Sequence, residues 1–305
     1  MRRLDASEPG FAAEFDALVN DRRESDSDVS ADVAAIIARV KAEGDAALAD
    51  YTAKFDRFDL DASGWSISKE ECAAAYEALA PDLRDALNLA ADRIRAYHAA
   101  QLPEDRDYRD STGARLGARW NAVDAAGVYV PGGRAAYPSS VLMNILPAKV
   151  AGVERIVMMT PTPGGETNPV VMAAAHIGGV DEIWRIGGAQ AVAALAYGTD
   201  RIASVDVVTG PGNAWVAEAK RQVYGVVGIG MVAGPSEIGV GAGNRNAPQG
   251  AAAPLLSQAE HDPTSQSILF TDDAAFADAV VAAVVAVIPT LPTPTTSWGY
   301  SPSAR

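Results

Sequence analysis

Gln258 and His261 stand three residues apart in the run Leu255-Leu256-Ser257-Gln258-Ala259-Glu260-His261-Asp262-Pro263. On a helix that spacing places both side chains on one face, close enough to serve one metal ion or one substrate, while Glu260 points elsewhere. As a metal signal the pair is weak, because glutamine is an uncommon zinc ligand and two donors do not complete a site. A polar helix end explains the same spacing. A second chemistry is suggested by four Gly-rich turns: Gly127-Val128-Tyr129-Val130-Pro131-Gly132-Gly133, Gly187-Gly188-Ala189-Gln190, Gly210-Pro211-Gly212-Asn213 and Gly234-Pro235-Ser236-Glu237. Glycines at such turns let backbone approach a ligand closely and leave helix N-terminal amides free for an anion. One such turn is ordinary loop chemistry; four in consecutive units point to a binding crevice.

The elements that would position these groups follow from periodicity. Short β-rich runs at 127–130, 155–159, 182–186, 204–208 and 226–232 alternate with Ala-rich segments near 139–151, 168–177, 189–197 and 213–223 that predict helices. Strand, helix, strand with short turns predicts right-handed crossovers and a parallel sheet, whose ligand crevice lies beyond the carboxyl ends of the strands. The first 110 residues read as helices: Val33, Ile36, Ile37 and Val40 make one apolar stripe ending near Gly44, and Ser68 with Glu71 has the capping-box spacing. A second stripe runs through Leu83, Leu87, Ala90, Ile94 and Tyr97, with His98 beside it as a surface or packed residue.

Gly228-Ile229-Gly230-Met231-Val232-Ala233 fits the dinucleotide pattern G-x-G-x-x-A but falls within a predicted strand rather than at a strand-to-helix turn, so it is set aside. No Walker A sequence is present. With 25 basic against 39 acidic side chains the net charge is −14, which argues against nucleic acid and anionic membrane as partners. The longest apolar run, Ala279 to Ile288, is far short of a bilayer span, and Met1-Arg2-Arg3 leads straight into polar sequence, so a cytoplasmic address is expected. The single Cys72 sits in an Ala-rich helical context that suits a buried small hydrophobe and not a nucleophile.

Taken together, Gly-Val-Tyr-Val-Pro-Gly-Gly at 127–133, Ala-Ala-Tyr-Pro-Ser-Ser-Val-Leu-Met-Asn at 135–144, Arg-Ile-Gly-Gly-Ala-Gln-Ala at 185–191, Gly-Pro-Gly-Asn at 210–213, Ala-Gly-Pro-Ser-Glu-Ile at 233–238 and Leu-Leu-Ser-Gln-Ala-Glu-His-Asp at 255–262 resemble the histidinol dehydrogenase family. The likeness runs in order from the N-terminal helices to about Ile288. It implies a zinc- and NAD-dependent homodimeric enzyme that oxidises L-histidinol through the aldehyde to L-histidine. It implies Tyr129, Gln190 and Asn213 as NAD contacts, Ser236 as a substrate contact, and Gln258 and His261 as zinc ligands that also adjoin the substrate. The implied fold is α/β: two incomplete Rossmann-like domains, one inserted in the other, with an N-terminal helical extension. On that plan 1–24 is the extension, 25–128 plus 237–288 the first domain, 129–236 the inserted NAD-binding domain, and 289–305 an aberrant tail.

The sequence also departs from that family. Its only histidines are His98, His176 and His261, so the family's catalytic Glu-His pair and its further Asp and His zinc ligands have no counterpart in these residues. A non-catalytic remnant with weak nucleotide binding is therefore the rival expectation. Residues 239–253 stand where the family has an apolar strand, an acidic turn and a helix start, and 289–305 are Pro/Thr/Ser-rich where helix is expected. No Asp or Glu lies between Glu237 and Glu260 or after Asp278, so both stretches fall in acid-free gaps. We read them as products of altered reading frames; an uninterrupted single frame in the encoding DNA would sink that idea. Gly230 replaces an Asp usual in the family.

Overall fold

The computed structural model describes residues 2–24, 29–132, 137–232, 236–261 and 265–291, with the side chains of 20–24, 260 and 261 outside that description. It divides into two compact units, 26–232, and 1–25 with 233–305. Helix α1 (Phe11–Glu24) belongs to the latter.

The larger unit opens with helices α2 (Ser30–Glu43), α3 (Asp45–Asp56), α4 (Leu60–Ser63), α5 (Lys69–Glu77) and α6 (Pro81–Ala99). The predicted stripe of α2 is buried at all four positions, and Gly44 ends it with its amide donating to the Val40 carbonyl. Ser68 and Glu71 form the expected capping box at the start of α5: each side chain accepts from the other residue's backbone amide. Next come strands β1 (Arg106–Arg109) and β2 (Arg115–Ala118), an antiparallel hairpin with every side chain exposed. The remaining elements alternate: β3 (Ala125–Tyr129), α7 (Pro138–Ala151), β4 (Arg155–Met159), α8 (Pro169–Gly178), β5 (Glu182–Trp184), α9 (Gly188–Tyr197), β6 (Val207–Thr209), α10 (Ala214–Val223) and β7 (Gly228–Ile229). The predicted pattern is realised, with β6 starting three residues later and ending one residue later, and β7 shorter than expected. Gly228 and Ile229 of the set-aside G-x-G-x-x-A pattern lie on a strand, as expected.

These five strands form one parallel sheet in the order β5-β4-β3-β6-β7. Strand β3 is central, and alternate residues along it enter different cores. Ala125 and Tyr129 join Val157, Met159 and Val208 against α2 and α9. Ala126, Val128 and Val130 join Ile156 and Met158 against α7 and α8, with Cys72 of α5 in the same buried cluster. The sheet is therefore covered by helices on both faces, as its continuously apolar strands require. The chain builds outward from β3 through β4 to β5, then returns to the other edge of β3 as β6. That reversal makes β3/β6 the switch point of the fold, where a crevice opens beyond the strand ends.

The smaller unit holds β8 (Glu237–Gly241), α11 (Pro248–His261), β9 (Gln266–Phe270) and α12 (Ala274–Val287). Strands β8 and β9 are parallel, and Ala251, Ala252, Leu256, Phe276, Val280 and Val284 make the core beneath them. The 239–253 stretch thus carries a strand and a helix start, the element types the family has there, despite its unusual composition. Residues 292–305, most of the predicted aberrant tail, lie outside the described residues. Among the described residues no helix is long and apolar enough to cross a membrane.

Candidate functional site

The carboxyl ends of β3, β5 and β6 bring three predicted residues to the switch point. Tyr129, the last residue of β3, is buried, and its hydroxyl accepts a hydrogen bond from the Gly188 amide at 3.0 Å. Burial pushes the phenol up to about 12, so the group remains a neutral positioning element at ordinary pH. Gln190 lies one turn into α9 and is also buried, beside Gly188. Gly210 follows β6 at φ +105, and a Cβ there would lie 2.0 Å from the Tyr129 carbonyl oxygen. Only glycine lets the Gly210–Asn213 turn lie this close to the β3 backbone. Asn213 then caps α10: its Oδ1 accepts from the Val216 amide at 3.2 Å, while its side-chain NH2 is not used by the cap. Asn213 is exposed, unlike the other two.

One group at this crevice escapes sequence reasoning. Lys220 is 4% exposed, and its Nζ donates to the carbonyls of Gly210 at 3.1 Å and Met231 at 3.2 Å. Helical side chains lean toward the N-terminus, which carries the ammonium from the last turn of α10 back to the turn before it. It thereby ties the turn after β6 to the turn after β7. The available signal was a lysine inside an apolar helix stripe, since Val216, Ala219, Lys220 and Val223 fall at i, i+3, i+4 and i+7 and all are buried.

Burial lowers the Lys220 pKa from the ordinary 10.5, and no carboxylate faces it among the ion pairs of the described residues. Between the lowered native value and 10.5 the unfolded chain binds more protons than the native one, so stability rises with pH in that window. In urea unfolding followed across alkaline pH, wild type should gain on Lys220→Met as pH approaches 10.5, with a slope of at most about 1.4 kcal/mol per pH unit. Parallel pH profiles for the two proteins would mean that the ammonium is not held as described.

The other predicted residues lie in the smaller unit. Ser236 is exposed, and its carbonyl accepts from the Gln266 amide at 3.0 Å. Gln258 and His261 both fall in α11, so the helix that their shared-face spacing requires is present. Gln258 is half-buried and its Nε2 donates to Ser265 Oγ at 3.4 Å. The side chain of His261 lies outside the described residues. Two donors, one a neutral amide, leave at least two positions of a four-coordinate zinc to other residues, and no group of three His, Cys, Asp or Glu side chains suited to a metal occurs among the described residues. Gln258 and His261 alone therefore do not complete a zinc site. His98 packs edge-on to Tyr97, and His176 lies exposed against the Tyr76 ring on α8. Cys72 is buried, its thiol pushed up to about 11 chiefly by burial, so it is no nucleophile at neutral pH.

The family model for histidinol dehydrogenase matches residues 19–298. The histidinol dehydrogenase of Zymomonas mobilis is 62% identical over 282 residues, covering 92% of this chain and 66% of that protein. That of Rhodospirillum rubrum is 60% identical over 289 residues, covering 95% and 67%. The crystal structure of histidinol dehydrogenase from Elizabethkingia anophelis superposes with a TM-score of 0.81 at 35% identity, over 87% of this chain and 61% of that one. The chain spans about two thirds of the length of the curated relatives it matches.

Proposed function

This chain belongs to the histidinol dehydrogenase family, and from that premise we propose that it supplies the dinucleotide-binding part of an NAD-dependent enzyme that oxidises L-histidinol to L-histidine. The observation that carries the reading is the convergence of Tyr129, Gln190 and Asn213 on the β3/β6 switch point through Gly188 and Gly210. The residues fit a dinucleotide: a close backbone approach at Gly210 and a capped helix N-terminus at Asn213. NAD bound there would supply the hydride acceptor. Tyr129 holds the Gly188 amide and the mouth of α9 in place, Lys220 holds the two turns on the β6 side, and Asn213 offers its NH2 to the ligand.

Ser236, Gln258 and His261 are proposed to face the substrate in the complete family site. A homodimer and a cytoplasmic location belong to the same proposal, and so does zinc, whose further ligands would come from outside these residues. A second reading rests on the three histidines. With His98 and His176 on α6 and α8, no Glu-His acid/base pair can be assembled from these residues in the family's way. A protein made of these 305 residues alone should therefore bind NAD but not reduce it when given L-histidinol and zinc.

Calorimetric titration with NAD, run beside a spectrophotometric assay for reduced cofactor, separates the readings. Robust turnover would refute the second, and absence of NAD binding the first. Within the first, Asn213→Ser keeps a good N-cap and removes the NH2, so stability should move by no more than about 0.5 kcal/mol while the Kd for NAD rises about tenfold. An unchanged Kd would remove Asn213 from the cofactor contacts.

A further inference from the structure

The turns on the β6 side of the crevice have little of their own to hold them. Strand β6 is three residues long and β7 two, and a backbone bond from the Gly230 amide to the Val208 carbonyl at 2.9 Å closes their ladder. Beyond it Pro211, Gly212 and Asn213 are exposed, and Met231 is 83% exposed. None of these side chains is buried, so their own packing does not fix the two turns. What reaches both is the Lys220 ammonium, which donates to the Gly210 and Met231 carbonyls from within the α10 stripe of Val216, Ala219 and Val223. Three donors on one atom, at the end of an apolar stem, can serve carbonyls that follow different strands. Lysine is almost never buried this far without a charged partner, and no carboxylate pairs with it among the ion pairs of the described residues. A neutral apolar side chain would fill the same stripe without the cost of desolvating a charge. The two turns are what the charge serves.

Resting on the NAD reading above, we propose that Lys220 is a positioning residue for the dinucleotide. It does not touch the ligand: its side chain is buried, and it acts through the carbonyls of the turns. Holding the Gly210 carbonyl fixes the start of the Gly210–Asn213 turn where it meets the Tyr129 backbone. Near the other end Gly212 lies against Val216, where an added Cβ would meet the valine side chain at 2.4 Å. Asn213, which caps α10, is thus carried on a turn whose first carbonyl is held by Lys220. A turn free to shift by about 1 Å would spread the Asn213 NH2 and the helix-end amides over several placements, and ordering them again would weaken binding.

Wild type, Lys220→Met, Lys220→Arg, Asn213→Ser and the Lys220→Met/Asn213→Ser double variant, each as the full 305-residue chain, would be titrated calorimetrically with NAD at neutral pH and melted without ligand. Lys220→Met keeps an apolar stem and removes the donors, so the Kd for NAD should rise about tenfold while the melting temperature stays within about 5 °C of wild type. Lys220→Arg restores charged donors and should bring the Kd back to within about threefold of wild type. Because Lys220 acts through the turn that carries Asn213, the double variant should lose about tenfold in all, whereas independent losses would multiply to about a hundredfold. A merely structural lysine predicts a melting temperature lowered by more than about 5 °C in Lys220→Met. That result, multiplying losses, no rescue by arginine, or a Kd for Lys220→Met within about threefold of wild type overturns the role of Lys220 and leaves the NAD reading intact. Wild type that binds no NAD overturns both.

Discussion

Gly210→Ala should leave a protein that melts far earlier and no longer holds a dinucleotide. The backbone at Gly210 has φ +105, and an added Cβ would lie 2.0 Å from the Tyr129 carbonyl oxygen and within 3.0 Å of the Tyr129 amide nitrogen. The obstacle is backbone of the central strand, so no rotamer change can relieve it. Left-handed strain and overpacking together should cost about 3–5 kcal/mol. A domain holds only about 5–15 kcal/mol in all. Either β6 separates from β3 or the 210–213 turn lifts away, and both outcomes displace Asn213. A urea unfolding curve gives the stability, and an NAD titration of the folded fraction gives the binding. A loss under about 0.5 kcal/mol would show that the turn is not seated on β3 as described.

The second large effect lies on the central strand β3, two residues before Tyr129. Gly127 faces Leu195 of α9, and a Cβ at 127 would sit 2.8 and 2.9 Å from the two Leu195 methyl carbons and 3.1 Å from a Val205 methyl. Leu195 is fully buried, so Leu195→Ala alone should cost about 2–5 kcal/mol through lost burial and the cavity left behind. Gly127→Ala alone should cost about 1–3 kcal/mol by overpacking. In the double variant the new methyl occupies space that the leucine vacated. The two costs should therefore fall short of adding by about 1–3 kcal/mol, measured as a double-mutant cycle in urea. Additivity within about 0.5 kcal/mol would mean that the two side chains do not share one space.

Much of this architecture was legible because the sequence states it locally. The capping box at Ser68 and Glu71, the Asn168-Pro169 start and Gly179 end of α8, and the alternation of apolar strands with Ala-rich helices are short-range signals, and the structure uses each of them. The β1–β2 hairpin was not legible, because all of its side chains are exposed and neither face carries an apolar period. Its cross-strand Asp107–Arg115 pair ties together residues eight apart that no spacing rule singles out. At the site, glycines and Asn213 announced themselves by type. Lys220 did not, because a lysine is ordinarily solvated and only the packing around it reveals that it is buried. The unusual 239–253 stretch shows the converse. A Gly-rich run with no acidic residue still takes a strand place beside β9, where backbone bonds and partner strand decide more than side-chain type.

The return of the chain to β3 also sets when the crevice can exist. Strand β3 meets β4 after a single helical crossover, but meets β6 only after the chain has laid down β4, α8, β5 and α9. Closing a longer loop costs little extra free energy, about 0.6 kcal/mol per doubling, yet pairings between distant segments form slowly. The Tyr129 side of the crevice can be in place while the Gly210–Asn213 side is still unfolded chain. Capacity to hold a dinucleotide is therefore not assembled piece by piece along the sequence; it arrives with the docking of one three-residue strand, β6.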